Sequence, residues 1–179
     1  MTDDPEPNRH LDLEGVYNLR DLGGYPTTSG RQTRWKTFLR SASMHRMTPN
    51  SQNALIDHGL RTVIDLRTTR EMQQQPNVFA HNSAVTYHHY NMIGDEPLVE
   101  SSVTAASGEI ADQILNSYRT FLDQRKRLIG QILATLSSPG TRPVVFHCAV
   151  GKDRTGIISA LLLEIAGVPR HLIALDYGL

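Results

Sequence analysis

The chain has a single cysteine in 179 residues, Cys148. A lone thiol makes no intramolecular disulfide, which excludes a disulfide-stapled scaffold and fits a reducing compartment. It also leaves an oxidised Cys148 without a resolving partner in the chain. A surplus of charge is lacking as well, since 18 Lys and Arg balance 18 Asp and Glu. No overall field draws the chain to nucleic acid or to an anionic membrane surface, so anion recognition must be local. Long apolar runs are missing too. The most apolar stretch, residues 156–168, is interrupted by Glu164 and falls short of the roughly 20 residues that span a bilayer, so no transmembrane segment is expected. The opening "MTDDPEPNRHLDLEG" has neither a basic n-region nor an apolar core, and residues 1–14 read as a flexible leader, not a signal peptide. A cytoplasmic location is the expectation.

What remains suits one domain, over residues 15–179. Apolar, β-branched stretches bounded by turn residues predict strands at 35–42, 61–67, 85–90 and 144–148, and residues 16–22 read as a short strand or turn leading into a hairpin-like loop. Thr48 before Pro49, with Gly59 following, predicts a helix over 49–58. Apolar residues at helical spacing over 109–136 predict one long helix or two joined ones, and a further helix after residue 154 is stopped by Gly167 and Pro169. Strands alternating with helices predict an α/β fold with a central, mostly parallel sheet flanked by helices. Residues 91–109 mix Gly, Pro and Ser and read as a lid-like loop.

Chemistry concentrates in "VVFHCAVGKDRTG", residues 144–156. A tight loop between a strand and a helix aims several backbone N–H groups and the positive helix end at one point, where a phosphate or a thiolate is stabilised. Ala149, Val150, Gly151, Lys152, Asp153 and Arg154 are the candidate substrate-binding residues of that loop. Gly151 lets the turn close without a Cβ, Lys152 adds a point charge, and Arg154 offers a planar fork for two phosphoryl oxygens. Cys148 is the candidate nucleophile, Thr155 a hydroxyl beside its sulfur, and His147 a loop-supporting residue that holds by hydrogen bonds. With fifteen arginines in the chain, an Arg at one fixed offset from the cysteine is roughly a one-in-twelve accident. The strand before, the glycine within and the helix after supply the specificity. A small apolar cysteine in a core would not be followed by Gly, Lys, Asp and Arg within six residues.

"HCAVGKDRTG" resembles the Cys-x5-Arg-Ser/Thr loop of the cysteine-dependent protein tyrosine phosphatase superfamily. "NLRDLGGY" at 18–25, "FLRSASMHRMT" at 38–48 and "GLRTVIDLRTTRE" at 59–71 extend the resemblance to its bacterial and fungal tyrosine/serine phosphatase family, over about residues 15–179. The resemblance implies a tyrosine phosphatase-like fold and hydrolysis of phosphomonoesters through a phosphocysteine, with no cofactor or metal. It implies phosphotyrosine protein, phosphoserine/threonine or phosphoinositide as substrate, phosphate, sulfate or vanadate as loop ligands, and allows export without a signal peptide. Relatives usually continue beyond "LDYGL" with further helices, so the chain is expected to be either truncated there or a short member, and missing helices would favour self-association.

Expelling an alkoxide or phenolate requires a proton donor. Asp65 stands at a strand's C-terminal end, where such sheets place ligands, and is the acid the resemblance implies. Asp153 lies in the loop itself, and Asp95 would swing in on the lid. Arg20, Asp21, Arg40 and Arg67 match the other motifs and fit either substrate contact or an ion pair. His88 and His89 are adjacent on a strand and point to opposite faces, which disfavours a shared metal. Two rival functions are a phosphate-binding module without turnover and a rhodanese-like sulfurtransferase; Arg154 and Thr155 favour phosphate chemistry over the latter.

Overall fold

The computed structural model describes residues 8–94 and 110–179. Five strands, β1 (Arg20–Asp21), β2 (Phe38–Ser41), β3 (Thr62–Asp65), β4 (Thr86–His89) and β5 (Val144–His147), form one sheet in the order β1-β2-β5-β3-β4. Strands β2, β5, β3 and β4 run parallel, and β1 alone is antiparallel. The α/β fold with a mostly parallel sheet is therefore the one the alternating pattern predicts. Because β5 lies between β2 and β3, the segment that follows it leaves the middle of the sheet at its C-terminal edge, where ligands bind open parallel sheets.

The two-residue strand period sorts the core into two layers. On one face Val144, Phe146 and Ile64 join Cys148 and pack with Ile129, Ile132 and Leu136 of α3 (Ile110–Ser137) and Ile158 and Leu163 of α4 (Asp153–Ile165). On the other, Val63, Val145 and Leu39 pack with Phe79 and with Leu55 of α1 (Pro49–Asp57). Every residue of β5 is buried, which is why it reads as an uninterrupted apolar run and not an alternating one.

Helix α1 begins as its sequence predicts, with Thr48 Oγ1 accepting from Ser51 N and Pro49 in the first turn. Of the short strand or turn expected over 16–22, only Arg20 and Asp21 pair, since the Asp21 carboxylate accepts the Gly23 amide and turns the chain. The strand expected over 35–42 starts only at Phe38, because Lys36 sits at φ +51°, outside extended geometry. Strand β3 stops at Asp65, whose side chain accepts the Arg67 amide two residues on. The apolar pattern after residue 109 is one continuous helix. Most of the lid-like loop, residues 95–109 with Asp95, lies outside the described residues.

Two short helices were not foreseen. The polar run after β3 forms α2 (Thr69–Gln74), started by a reciprocal capping box between Thr68 and Glu71. The chain past Pro169 forms α5 (Arg170–Gly178), against α4. Among the described residues no helix is long and apolar enough to cross a membrane.

Candidate active site

The loop from β5 to α4 is held by its carbonyls. His147 Nδ1 donates to Cys148 O at 3.1 Å, and Ser43 N donates to Ala149 O at 3.0 Å. Asn18 Nδ2 donates to Val150 O and Gly151 O at 3.3 and 3.2 Å, Arg40 Nη2 to Gly151 O at 2.8 Å, and Gly156 N to Lys152 O at 2.7 Å. A trans peptide points its N–H opposite to its C=O. The amides that follow these fastened carbonyls therefore face away from the clasps. Among the described residues none of the amides of 149–154 serves another backbone carbonyl. Helix α4 adds its own open end, as Lys152 at the N-cap makes no side-chain cap bond.

Gly151 makes this turn possible. It sits at φ +75°, and a Cβ there would meet the Ser41 carbonyl oxygen at 2.5 Å. Cys148, at the start of the loop, is 3% exposed and lies on the strand side shared by Val144 and Phe146. Thr155, the third residue of α4, is fully buried, and its hydroxyl has no hydrogen-bond partner among the described residues. His147 is fully buried, and burial holds it below the usual histidine range despite the nearby Asp65 carboxylate. As a neutral ring donating from Nδ1, it accepts the Asn77 amide at Nε2, 2.8 Å away.

Arg154 is aimed by a residue the sequence reading passed over. Its Nη1 and Nη2 donate to the two Glu71 carboxylate oxygens at 2.7 and 2.9 Å, and Nη1 also reaches Leu66 O at 3.4 Å. A guanidinium carries five N–H donors, so this fork leaves two for an anion. Burial opposes the Arg154 charge, yet Glu71 and Cys148 together raise its pKa. The bond from Arg154, with backbone and hydroxyl bonds from Thr68, outweighs burial and brings Glu71 down to about 2. The Thr-x-x-Glu capping signature at 68–71 was the available signal for α2; the pairing itself spans 83 residues of chain.

Asp65 is placed elsewhere. It is fully buried, and its carboxylate accepts from Arg67 Nε, Nη2 and N at 2.6–3.1 Å and from the Tyr87 hydroxyl at 2.8 Å. Strand parity puts it with Val63, on the face opposite Ile64 and Cys148. Burial works against its charge, but the Arg67 guanidinium and backbone amide, bonded to it directly, bring the carboxyl down to about 2. Asp153 is exposed, in the first turn of α4. Its Oδ1 accepts from Tyr118 at 2.5 Å and from Tyr177 at 3.2 Å. Lys152 is exposed beside it.

The remaining motif residues form the scaffold. Arg20 and Arg40, each 1% exposed, share Asp176 of α5. Arg40 Nη1 lies 2.6 Å from Asp176 Oδ2, Arg20 Nε 3.6 Å from Oδ1, and Tyr25 donates to Oδ1 at 2.9 Å. Arg20 also bonds Asn18 Oδ1. Asp21 accepts the amides of Gly23 and Lys36 at 2.7 Å. His89 donates to Arg67 O at 2.8 Å, while His88 stacks on Tyr90.

Comparison with known proteins matches residues 11–179 to the tyrosine phosphatase family. A tyrosine-protein phosphatase of Nostoc commune is 32% identical over 143 residues, covering 79% of this chain and 47% of the relative. The triple specificity protein phosphatase PtpB of Mycobacterium tuberculosis is 27% identical over 191 aligned positions, covering 93% of this chain and 67% of the relative. The chain thus spans about half the length of the first of these.

Proposed function

The chain belongs to the tyrosine phosphatase family, and from that premise we propose that it hydrolyses phosphomonoesters, phosphotyrosine in protein foremost, through a phosphocysteine. The observation that carries this reading is the loop itself: five successive carbonyls, from Cys148 to Lys152, are fastened outward while, among the described residues, the amides of 149–154 stay open. Such an array binds a tetrahedral dianion and stabilises charge as it redistributes in the transition state.

In the first step Cys148 Sγ, as thiolate, attacks phosphorus; the S–P bond forms as the bond to the leaving oxygen breaks. Arg154 takes two phosphoryl oxygens with the donors that Glu71 leaves open. Asp153 is the general acid in this reading, because it is exposed and has Oδ2 unengaged among the described residues, whereas both oxygens of Asp65 are taken by Arg67 and Tyr87. In the second step Asp153 takes a proton from water as that water attacks phosphorus, and the thiolate leaves with Thr155 as hydrogen-bond donor. Phosphoserine/threonine and phosphoinositides are the further substrates of this reading, and Lys152 at the rim suits a second phosphate.

Single-turnover hydrolysis of p-nitrophenyl phosphate tests the mechanism. Wild type is expected to turn over, and Cys148→Ser to lose activity by several orders of magnitude. An inert wild type, or a fully active Cys148→Ser, overturns the reading. Phosphotyrosine peptides compared with phosphoserine/threonine peptides and phosphoinositides then assign the substrate class.

A further inference from the structure

Asp153 is gripped by two tyrosines that come from different helices. Tyr118 lies on α3 and Tyr177 on α5. The Tyr118 hydroxyl donates to Asp153 Oδ1 at 2.5 Å, the Tyr177 hydroxyl reaches the same oxygen at 3.2 Å, and the two hydroxyls lie 3.0 Å apart. With one proton on each phenol, the arrangement is a short chain: Tyr118 donates to the carboxylate, and Tyr177 divides its proton between the carboxylate and the Tyr118 oxygen. Burial and the bond to Asp153 push the Tyr118 phenol far above the ordinary range, so its proton stays in place. Among the described residues these contacts all fall on Oδ1, which leaves Oδ2 for the proton in flight.

The neighbouring residues fit this purpose. Gly156 has no side chain where a Cβ would meet Tyr177 Cε2 at 2.7 Å, so the Tyr177 ring lies directly on the first turn of α4. The residue before it, Asp176, is the buried partner of Arg40, which in turn holds Gly151 O. Helix α5 thereby fastens the loop from beneath with one residue and its acid from the side with the next.

We propose that Tyr118 and Tyr177 are positioning residues for the general acid, holding the Asp153 carboxyl by Oδ1 so that Oδ2 delivers its proton to the leaving oxygen. The inference rests on the assignment of Asp153 as that acid. When Oδ2 protonates the leaving oxygen the carboxylate gains a full charge, and the Tyr118 hydroxyl donates to it at that moment; when water later attacks, Oδ2 recovers a proton and the charge is lost. The bond is thus strongest in the step that breaks the ester.

The test is the dependence of kcat/KM on leaving-group acidity across aryl phosphates from p-nitrophenyl to phenyl phosphate, together with a thermal melt of each variant. Wild type is expected to be nearly insensitive, and Asp153→Asn steeply dependent, with phenyl phosphate falling ~10² or more beyond the nitrophenyl ester. Tyr118→Phe and Tyr177→Phe keep their rings and are expected to lie between, losing about tenfold on phenyl phosphate and little on the nitrophenyl ester. A steep Asp153→Asn series with wild-type slopes in both tyrosine variants overturns the clamp and leaves the acid standing. An Asp153→Asn series as flat as wild type overturns the acid and the clamp with it. Lowered melting temperature with unchanged slope also overturns the clamp, because a packing role does not discriminate leaving groups. If Tyr177→Phe fails to fold, Tyr118→Phe carries the same comparison from the other helix.

Discussion

Arg154 and Glu71 meet through two parallel N–H···O bonds of 2.7 and 2.9 Å. One comes from the helix after the phosphate loop, the other from the capping box of α2. The same carboxylate also accepts the Thr68 amide and hydroxyl, at 2.7 and 2.9 Å, so the arginine is tied to a helix terminus that is itself fixed. Two roles can then be separated. Glutamine still caps a helix in this motif, but it cannot match the bidentate charged pairing.

Glu71→Gln is therefore expected to melt within a few degrees of wild type, while kcat/KM for p-nitrophenyl phosphate drops by about 10- to 100-fold, the worth of a charge-assisted pair. Unchanged kcat/KM would mean that Arg154 finds its position unaided.

Gly151→Ala probes the loop from within. The added Cβ meets a backbone oxygen, Ser41 O, at 2.5 Å, and φ is +75°, so the peptide plane must rotate instead of a side chain moving aside. Rotation turns the neighbouring amides off the anion. Calorimetric titration with vanadate is expected to show at least a hundredfold weaker binding in the variant, and binding at wild-type strength would argue that the loop amides are not the anion site.

The central strand, the loop and its helix were legible because each carries a local signal: an apolar run, a glycine that must turn, and a helix start. The surroundings of Asp65 were not, since only the fold brings Arg67 and Tyr87 onto its carboxylate; a strand-end aspartate reads the same whether it faces a ligand or an arginine. Helix α5 was hidden by Pro169, which stops α4 and equally begins the next helix. Glu71, Asp176 and Tyr118 act across 83, 136 and 35 residues respectively, and no periodicity in a single chain records a pairing of that kind.

Asp65 also sets an acid limit on stability. Its carboxyl is held at about 2 against an ordinary 3.8, and that of Glu71 at about 2 against 4.5. Because both folded values are depressed, their contribution is complete above the ordinary carboxylate range and disappears as pH falls from about 4.5 toward 2. Melting temperature is expected to decline over that window, less steeply in Asp65→Asn. At neutral pH the same variant leaves Arg67 buried and unpaired, a loss of about 3 kcal/mol or more and roughly 10 °C in Tm for a chain of this size. Its leaving-group dependence is expected to stay at the wild-type slope; a steeper one would return the acid role to Asp65.

Asp176 is the residue on which two of the loop clasps, Arg40 and Asn18, converge. Arg40, which holds Gly151 O, pairs with it directly, and Asn18, which holds Val150 O and Gly151 O, is reached through Arg20. Asp176→Asn leaves two buried guanidiniums without a carboxylate, and a stability loss of about 3 to 5 kcal/mol is expected. That loss alone would describe any buried ion pair, so the discriminating quantity is the rise in Tm on adding saturating vanadate, which grows with affinity for the folded loop. Loosened clasps let the carbonyls turn inward and oppose the anion, and the variant is expected to show a distinctly smaller vanadate-induced rise than wild type. An equal rise in both proteins would mean that Asp176 merely seats α5 and that the loop keeps its shape without it.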